Sequence, residues 1–297
     1  MKEAYLYKKL KDNKVQCRNC AHYCVIDEDE RGICGVRENK NGKLYSLVYG
    51  RACAINIDPI EKKPLYHFLP GTYSLSIATV GCNFACKNCQ NWQISQAGRD
   101  PISASFGGER FSAVSAEKIV ELARKNNLPS ISYTYTEPAI FSEYALDTME
   151  IAKKAGLKNI WVSNGFWSKE LFDLIAPYLD ATNIDLKSFS DDFYRKNCEA
   201  RLQPVLDTLK RLKDKKIWTE ITTLVIPGLN DSDENFKKIA QFIKNELGKD
   251  MPWHISRFFG AVSWKLQNIP DTPIETLKKA EKIAKKIGLK NVYIGNV

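Results

Sequence analysis

The chain has 297 residues, 44% hydrophobic and 27% charged, enough apolar matter for a sizeable core, which excludes a low-complexity or disordered chain. No apolar run approaches the roughly 18 residues of a membrane helix. The opening MKEAYLYKKLKDNK lacks the apolar centre of a secretory signal, so a cytoplasmic protein is expected. The net charge of +9, from 44 Lys and Arg against 35 Asp and Glu, reads as solvated lysines on helix faces such as KKAEKIAKKIGLKN; with no nucleic-acid-binding motif beside them, nucleic acid is not an expected partner.

Residues 1–70 are rich in cysteine and turn residues and show little periodicity, so they read as a segment distinct from 71–297. Seven of the nine cysteines fall into two tight groups, which in a reducing compartment points to metal rather than disulfides. The first group, Cys17, Cys20, Cys24 and Cys34, has the spacing Cys-x2-Cys-x3-Cys-x9-Cys, with His22 inside it. Four thiolates close either a tetrahedral zinc site or a second, auxiliary 4Fe–4S cluster, and spacing leaves the two open. Cys53 and Cys198 stand alone and read as ordinary buried thiols.

From Tyr73 onward, strand patterns alternate with helical ones. The strands are expected at 73–81, 130–135, 159–166, 182–189, 217–226, 252–259 and 291–297, each rich in β-branched or aromatic residues. Between them, Ser115 is placed to cap a helix with Ile119, Leu122 and Ala123 on one face. Thr272-Pro273-Ile274-Glu275 reads as a capping box opening the last helix. This alternation predicts an α/β fold, a partial (βα)6 TIM-like barrel with a cysteine-rich N-terminal extension. In such barrels the chemistry gathers at the C-terminal ends of the strands.

The second cysteine group follows the strand at 73–81: Gly81-Cys82-Asn83-Phe84-Ala85-Cys86-Lys87-Asn88-Cys89-Gln90-Asn91-Trp92. Cys82, Cys86 and Cys89 can hold three irons of a 4Fe–4S cube and leave the fourth without a protein ligand. An open metal position marks a reactive site, as in catalytic zinc centres, whereas an electron carrier would supply a fourth cysteine.

That loop, GCNFACKNCQNWQIS, together with DPIEKKPLYHFLPG at 58–71, resembles the radical S-adenosylmethionine (SAM) superfamily, and within it the AmmeMemoRadiSam branch, similar to pyruvate formate-lyase-activating enzymes. The resemblance implies that the open iron binds the amino and carboxylate groups of SAM. Cleavage then gives methionine and a 5′-deoxyadenosyl radical that abstracts hydrogen. It further implies an electron donor such as ferredoxin or flavodoxin.

The same resemblance suggests the SAM contacts. Gly107-Gly108-Glu109 looks like the family's Gly-Gly-Glu but precedes the first barrel helix, so Glu137 in Tyr135-Thr136-Glu137-Pro138 is the better match for the SAM amino group. Asp185 and Lys187 alternate onto one strand face, where buried charges need each other or a ligand. Family position adds a SAM contact for this pair, with a monovalent cation beside it. It also places His254 near the adenine and ribose and gives Asn88 a backbone contact with adenine. Gln90, Thr136 and Asn164 complete the expected set. The substrate is expected to be a protein or peptide, as for glycyl-radical activases. A small-molecule substrate and a non-catalytic iron–sulfur or zinc scaffold are the alternatives.

Overall fold

The computed structural model describes residues 1–99 and 113–297. The chain divides into two compact units, residues 1–83 with 91–182, and residues 84–90 with 183–297. Gly107-Gly108-Glu109 lies outside the described residues.

The first unit opens with short antiparallel strands, Lys2–Glu3, Tyr7–Lys9, Val15–Cys17, Val25–Ile26, Arg37–Lys40 and Lys43–Ser46. Val15, Ile26 and Leu44 give them a small core. This segment does not stand apart. Arg37, 2% exposed, forms a salt bridge with Glu143, 0% exposed, at 2.6 Å, and Cys20 bridges backbone to Trp167. The larger elements follow: β1 (Ala54–Pro59), β2 (Tyr73–Ala78), α1 (Ala116–Lys125), β3 (Ser130–Tyr133), α2 (Ser142–Lys154), β4 (Lys158–Ser163) and α3 (Lys169–Ile175). β1 runs antiparallel to β2, while β2, β3 and β4 pair in parallel. All four residues of β3 and most of β4 are buried, as expected of parallel strands covered on both faces.

β5 (Ala181–Asp185) runs across the division between the units. The second unit continues with α4 (Gln203–Asp214), β6 (Trp218–Val225), α5 (Asp233–Phe242), β7 (Trp253–Arg257), α6 (Ile274–Ile287) and β8 (Val292–Gly295). β6, β7 and β8 pair in parallel. Among the described residues β1 and β8 are the terminal strands of the sheet. The fold is the partial (βα)6 barrel that the alternating pattern predicts, with six strand–helix units from β2 to α6 and β8 after them.

Local chemistry sets the helix starts. The Ser115, Ser168 and Ser232 hydroxyls accept from the backbone N–H three residues on, at 3.2, 3.0 and 3.2 Å, and cap α1, α3 and α5. The capping box expected at Thr272 does not form. Pro273 occupies the cap position of α6 without a side-chain bond. The Thr272 hydroxyl is used elsewhere, donating to the Val225 carbonyl at 2.5 Å and accepting from Phe258 N at 3.1 Å, which ties the ends of β6 and β7 together.

Candidate active site

The cysteine loop leaves the C-terminal end of β2, and none of the nine cysteines is in a disulfide. Its first residues belong to the first unit. Gly81 has φ +100°, and a Cβ there would stand 2.7 Å from Val36 Cγ1 and 3.1 Å from the Cys34 carbonyl oxygen. Only glycine fits so close an approach in that conformation. Arg99 donates to the Cys82 carbonyl at 2.9 Å, and Asn83 Oδ1 accepts from Asn164 Nδ2 at 2.7 Å.

Asn164 connects this loop to Glu137. Glu137, 2% exposed, follows β3 and accepts from Ala139 N at 3.1 Å, from Ser163 Oγ at 2.8 and 3.0 Å, and from Asn164 N at 2.8 Å. Trp167 Nε1 in turn donates to Ser163 Oγ at 2.8 Å. Both carboxylate oxygens therefore bind groups of the protein itself, where the sequence reading gave them to the SAM amino group. Burial pushes the Glu137 carboxyl up to about 7, against the pull of these donors. Its visible work is positional: it holds the turn after β4 whose Asn164 grips Asn83, next to Cys82.

Thr136 donates to the Thr79 carbonyl at 2.8 Å, joining the ends of β2 and β3. Between Thr136 and β3 lies Tyr135, a bulky residue with φ +63°, an uncommon and strained conformation of the kind that collects at functional sites. Its carbonyl accepts from Asn91 Nδ2 at 2.9 Å, and its hydroxyl donates to Asp58. Lys63 Nζ and Ser76 Oγ reach the same Asp58 oxygen at 2.7 and 2.8 Å. Burial works against the Asp58 charge, but these three donors outweigh it and hold the carboxyl at about 2. In the sequence, Asp58 and Lys63 stand out only as members of the block at 58–71. Nothing local in the sequence announces their union with Tyr135, which is 77 residues from Asp58.

In the second unit, Cys86 is buried beside the thiol of Cys198. Ala85 N and Lys87 N donate to the carbonyls of Cys198 and Asn197 at 3.0 and 2.9 Å, so the loop runs along this segment. Asn88 Oδ1 accepts from Asn197 Nδ2 at 2.8 Å, while Gln90 is exposed. The hydrogen bond to Cys198, and then burial, push the Cys86 thiol well up. Lys187 Nζ donates to Asp185 Oδ2 at 2.7 Å, as alternation along the strand required. Burial opposes the ammonium charge, but Asp185, Cys86 and Cys198 outweigh it, and Lys187 stays charged. Cys198, read from sequence as an isolated thiol, is thus part of the cysteine-loop environment.

His254 has a different place from the one expected. It is the second residue of β7, near the start of the strand, whereas the chemistry of such barrels sits at strand ends. Its Nε2 pairs with Glu220 Oε2 at 2.7 Å, both side chains are buried, and its ring stacks on Tyr293 at 5.4 Å. The geometry makes His254 a partnered interior histidine.

As they stand, no three His, Cys, Asp or Glu side chains among the described residues are gathered closely enough to hold a metal ion. The donor chemistry of Cys82, Cys86 and Cys89 nonetheless fits an iron–sulfur cube: three soft thiols share one short loop, with the Lys187 ammonium near Cys86 to offset thiolate charge.

Fold and loop define a class, a partial α/β barrel carrying a three-cysteine loop after its first parallel strand. A sequence profile of the radical SAM superfamily matches residues 76–243. An uncharacterized protein of Methanocaldococcus jannaschii is 48% identical over 297 residues, 100% of this chain and 86% of that protein. The pyruvate formate-lyase-activating enzyme of Clostridium pasteurianum is 24% identical over 223 residues, 70% of this chain and 88% of that enzyme. Among solved structures, a radical SAM methyltransferase from Sphaerobacter thermophilus shares the fold, with a TM-score of 0.56 at 16% identity over 76% of this chain and 67% of that one. The profile covers more than half of the chain, and the chain belongs to the radical SAM superfamily. No helix among the described residues is long and apolar enough to cross a membrane.

Proposed function

We propose that Cys82, Cys86 and Cys89 hold one 4Fe–4S cluster with an open iron, and that the protein cleaves SAM there to act on a protein or peptide. The observation that carries this reading is the three-thiol loop at the end of β2 in a radical SAM chain. When bound, the cluster supplies the electron that splits SAM into methionine and a 5′-deoxyadenosyl radical.

The chain's own residues do the positioning. Glu137 and Asn164 fix the start of the loop, and Asn197 and Cys198 support its middle. Lys187 and Asp185 offer a charge pair to the polar groups of SAM; a monovalent cation beside Asp185 belongs to the same proposal. Thr136, Asn164, Asn88 and Gln90 stand at strand ends or on the loop and remain SAM contacts in this reading, whereas Glu137 acts by position. Similarity to the Clostridium pasteurianum activating enzyme supports a protein or peptide substrate, and a ferredoxin or flavodoxin suits the electron supply.

The test is anaerobic: reconstitute with iron and sulfide, reduce, add SAM, and assay 5′-deoxyadenosine. Wild type should produce it and Cys86→Ala should not. A formed, reducible cluster that leaves SAM intact with both chemical and protein reductants would contradict the proposal and favour a scaffold.

A further inference from the structure

The N-terminal cysteines carry an inference that does not depend on the cluster. Cys17, Cys20, Cys24 and Cys34 line one cavity of about 20 Å³ within the first unit. Cys17, Cys20 and Cys34 are buried. A hairpin brings Cys17 and Cys24 together, with Cys17 N donating to the Cys24 carbonyl at 2.9 Å, and Tyr23 N closes a turn onto the Cys20 carbonyl at 3.1 Å. Gly32 packs beside this group: a Cβ there would stand 3.1 Å from Ile26 Cδ1 and in ordinary contact, 3.9 Å, with Cys24 Sγ.

Three polar residues lining the same cavity each keep one buried atom without a partner. They are Arg37 Nε, Asn83 Nδ2 and Asn19 Oδ1, on side chains no more than 2% exposed. Buried unpaired groups are costly, and such an atom calls for an explanation. Two of the three are N–H donors, and thiolates are acceptors for such donors once they ligate a metal.

We propose that these four thiols bind a single zinc ion, with Arg37 Nε and Asn83 Nδ2 donating to the ligating sulfurs. Cavity size favours one of the two metals the spacing allows. As the walls stand, a space of about 20 Å³ takes one water-sized body, the scale of a single ion. The thiols are not gathered to ligand distance as they stand, and closing the site turns them inward. A change between staggered χ1 rotamers moves a cysteine sulfur by about 3 Å.

The test is metal content per chain, in protein grown with zinc. Wild type and a Cys82→Ala/Cys86→Ala/Cys89→Ala variant should each hold about one zinc, and a Cys20→Ala/Cys24→Ala variant below about 0.1. Because the last variant can lose its fold, cobalt is added to the metal-stripped loop variant as a second readout. Strong visible bands of tetrahedral four-thiolate cobalt are expected. Four irons with labile sulfide in the loop variant after reconstitution, zinc unchanged by loss of Cys20 and Cys24, or weak octahedral cobalt bands would each overturn the proposal.

Discussion

The two cysteine groups differ in what surrounds them. The N-terminal four sit in a buried pocket whose polar walls, Arg37, Asn19 and Asn83, are themselves locked by long-range bonds to α2 and the loop after β4. The loop three follow a strand end, and only Cys86 among them is buried. Four thiols around one pocket, three buried and Cys24 half-buried, suit a closed structural metal, and three thiols at a strand end suit an open reactive one. Ligand number and enclosure thus change together, and the environment separates the two groups more sharply than spacing does.

The largest effect should come from the wall of the closed site. Glu143→Ala leaves the buried Arg37 guanidinium without its carboxylate, and denaturant unfolding should show a loss of about 3–5 kcal/mol. A loss below about 1 kcal/mol would mean the N-terminal segment is loosely attached, and the contrast between the regions would fail.

Next comes the residue that joins the β3 and β4 ends to the loop. Burial raises the Glu137 carboxyl from its ordinary 4.5 to about 7, so the folded state favours the neutral form. Its contribution is then fully present below about 4.5 and is lost as pH rises through about 7. That loss amounts to about 3 kcal/mol at 1.36 kcal/mol per pH unit. Unfolding of Glu137→Gln across this range should lack that slope; an identical slope in the variant would assign it to another group.

Lys187→Met tests the open site. If the ammonium meets SAM, equilibrium dialysis on reconstituted protein should show about tenfold weaker binding, roughly 1.4 kcal/mol. Unchanged affinity would make the Asp185–Lys187 pair purely structural. The smallest effect is expected from Cys198→Ala. Its thiol touches Cys86 but lies outside the three-ligand set, so iron per chain should stay the same and stability should fall by about 1 kcal/mol. Loss of the cluster would make Cys198 a ligand and the site closed.

Much of this was legible in the sequence because it is local or periodic. The strands from β2 to β8 show through β-branched runs, and the two cysteine groups through spacing within one loop. β1 was missed: Ala-Ile-Asn-Ile-Asp-Pro is short and alternates apolar with polar residues, and its pairing with β2 is antiparallel and lies outside the βα rhythm. The Asp185–Lys187 pair followed from period two alone. The surroundings of His254 are not legible in the sequence, because residue type says nothing about where along a strand a residue falls; the register Thr222↔His254 and the Glu220 partner show it. Asp58, Tyr135 and Lys63 were invisible as a cluster because tertiary pairing brings them together. Glu137 was found as a candidate, but its burial and donors, which make it a brace, are properties of the fold.

The most direct test of the three-ligand site is the electron paramagnetic resonance spectrum of the reduced, reconstituted protein with and without SAM. The account predicts a 4Fe–4S signal that changes when SAM is added and is missing from Cys86→Ala. A signal unmoved by saturating SAM would mean the protein already closes the fourth iron, and would contradict the open site on which the proposed function rests.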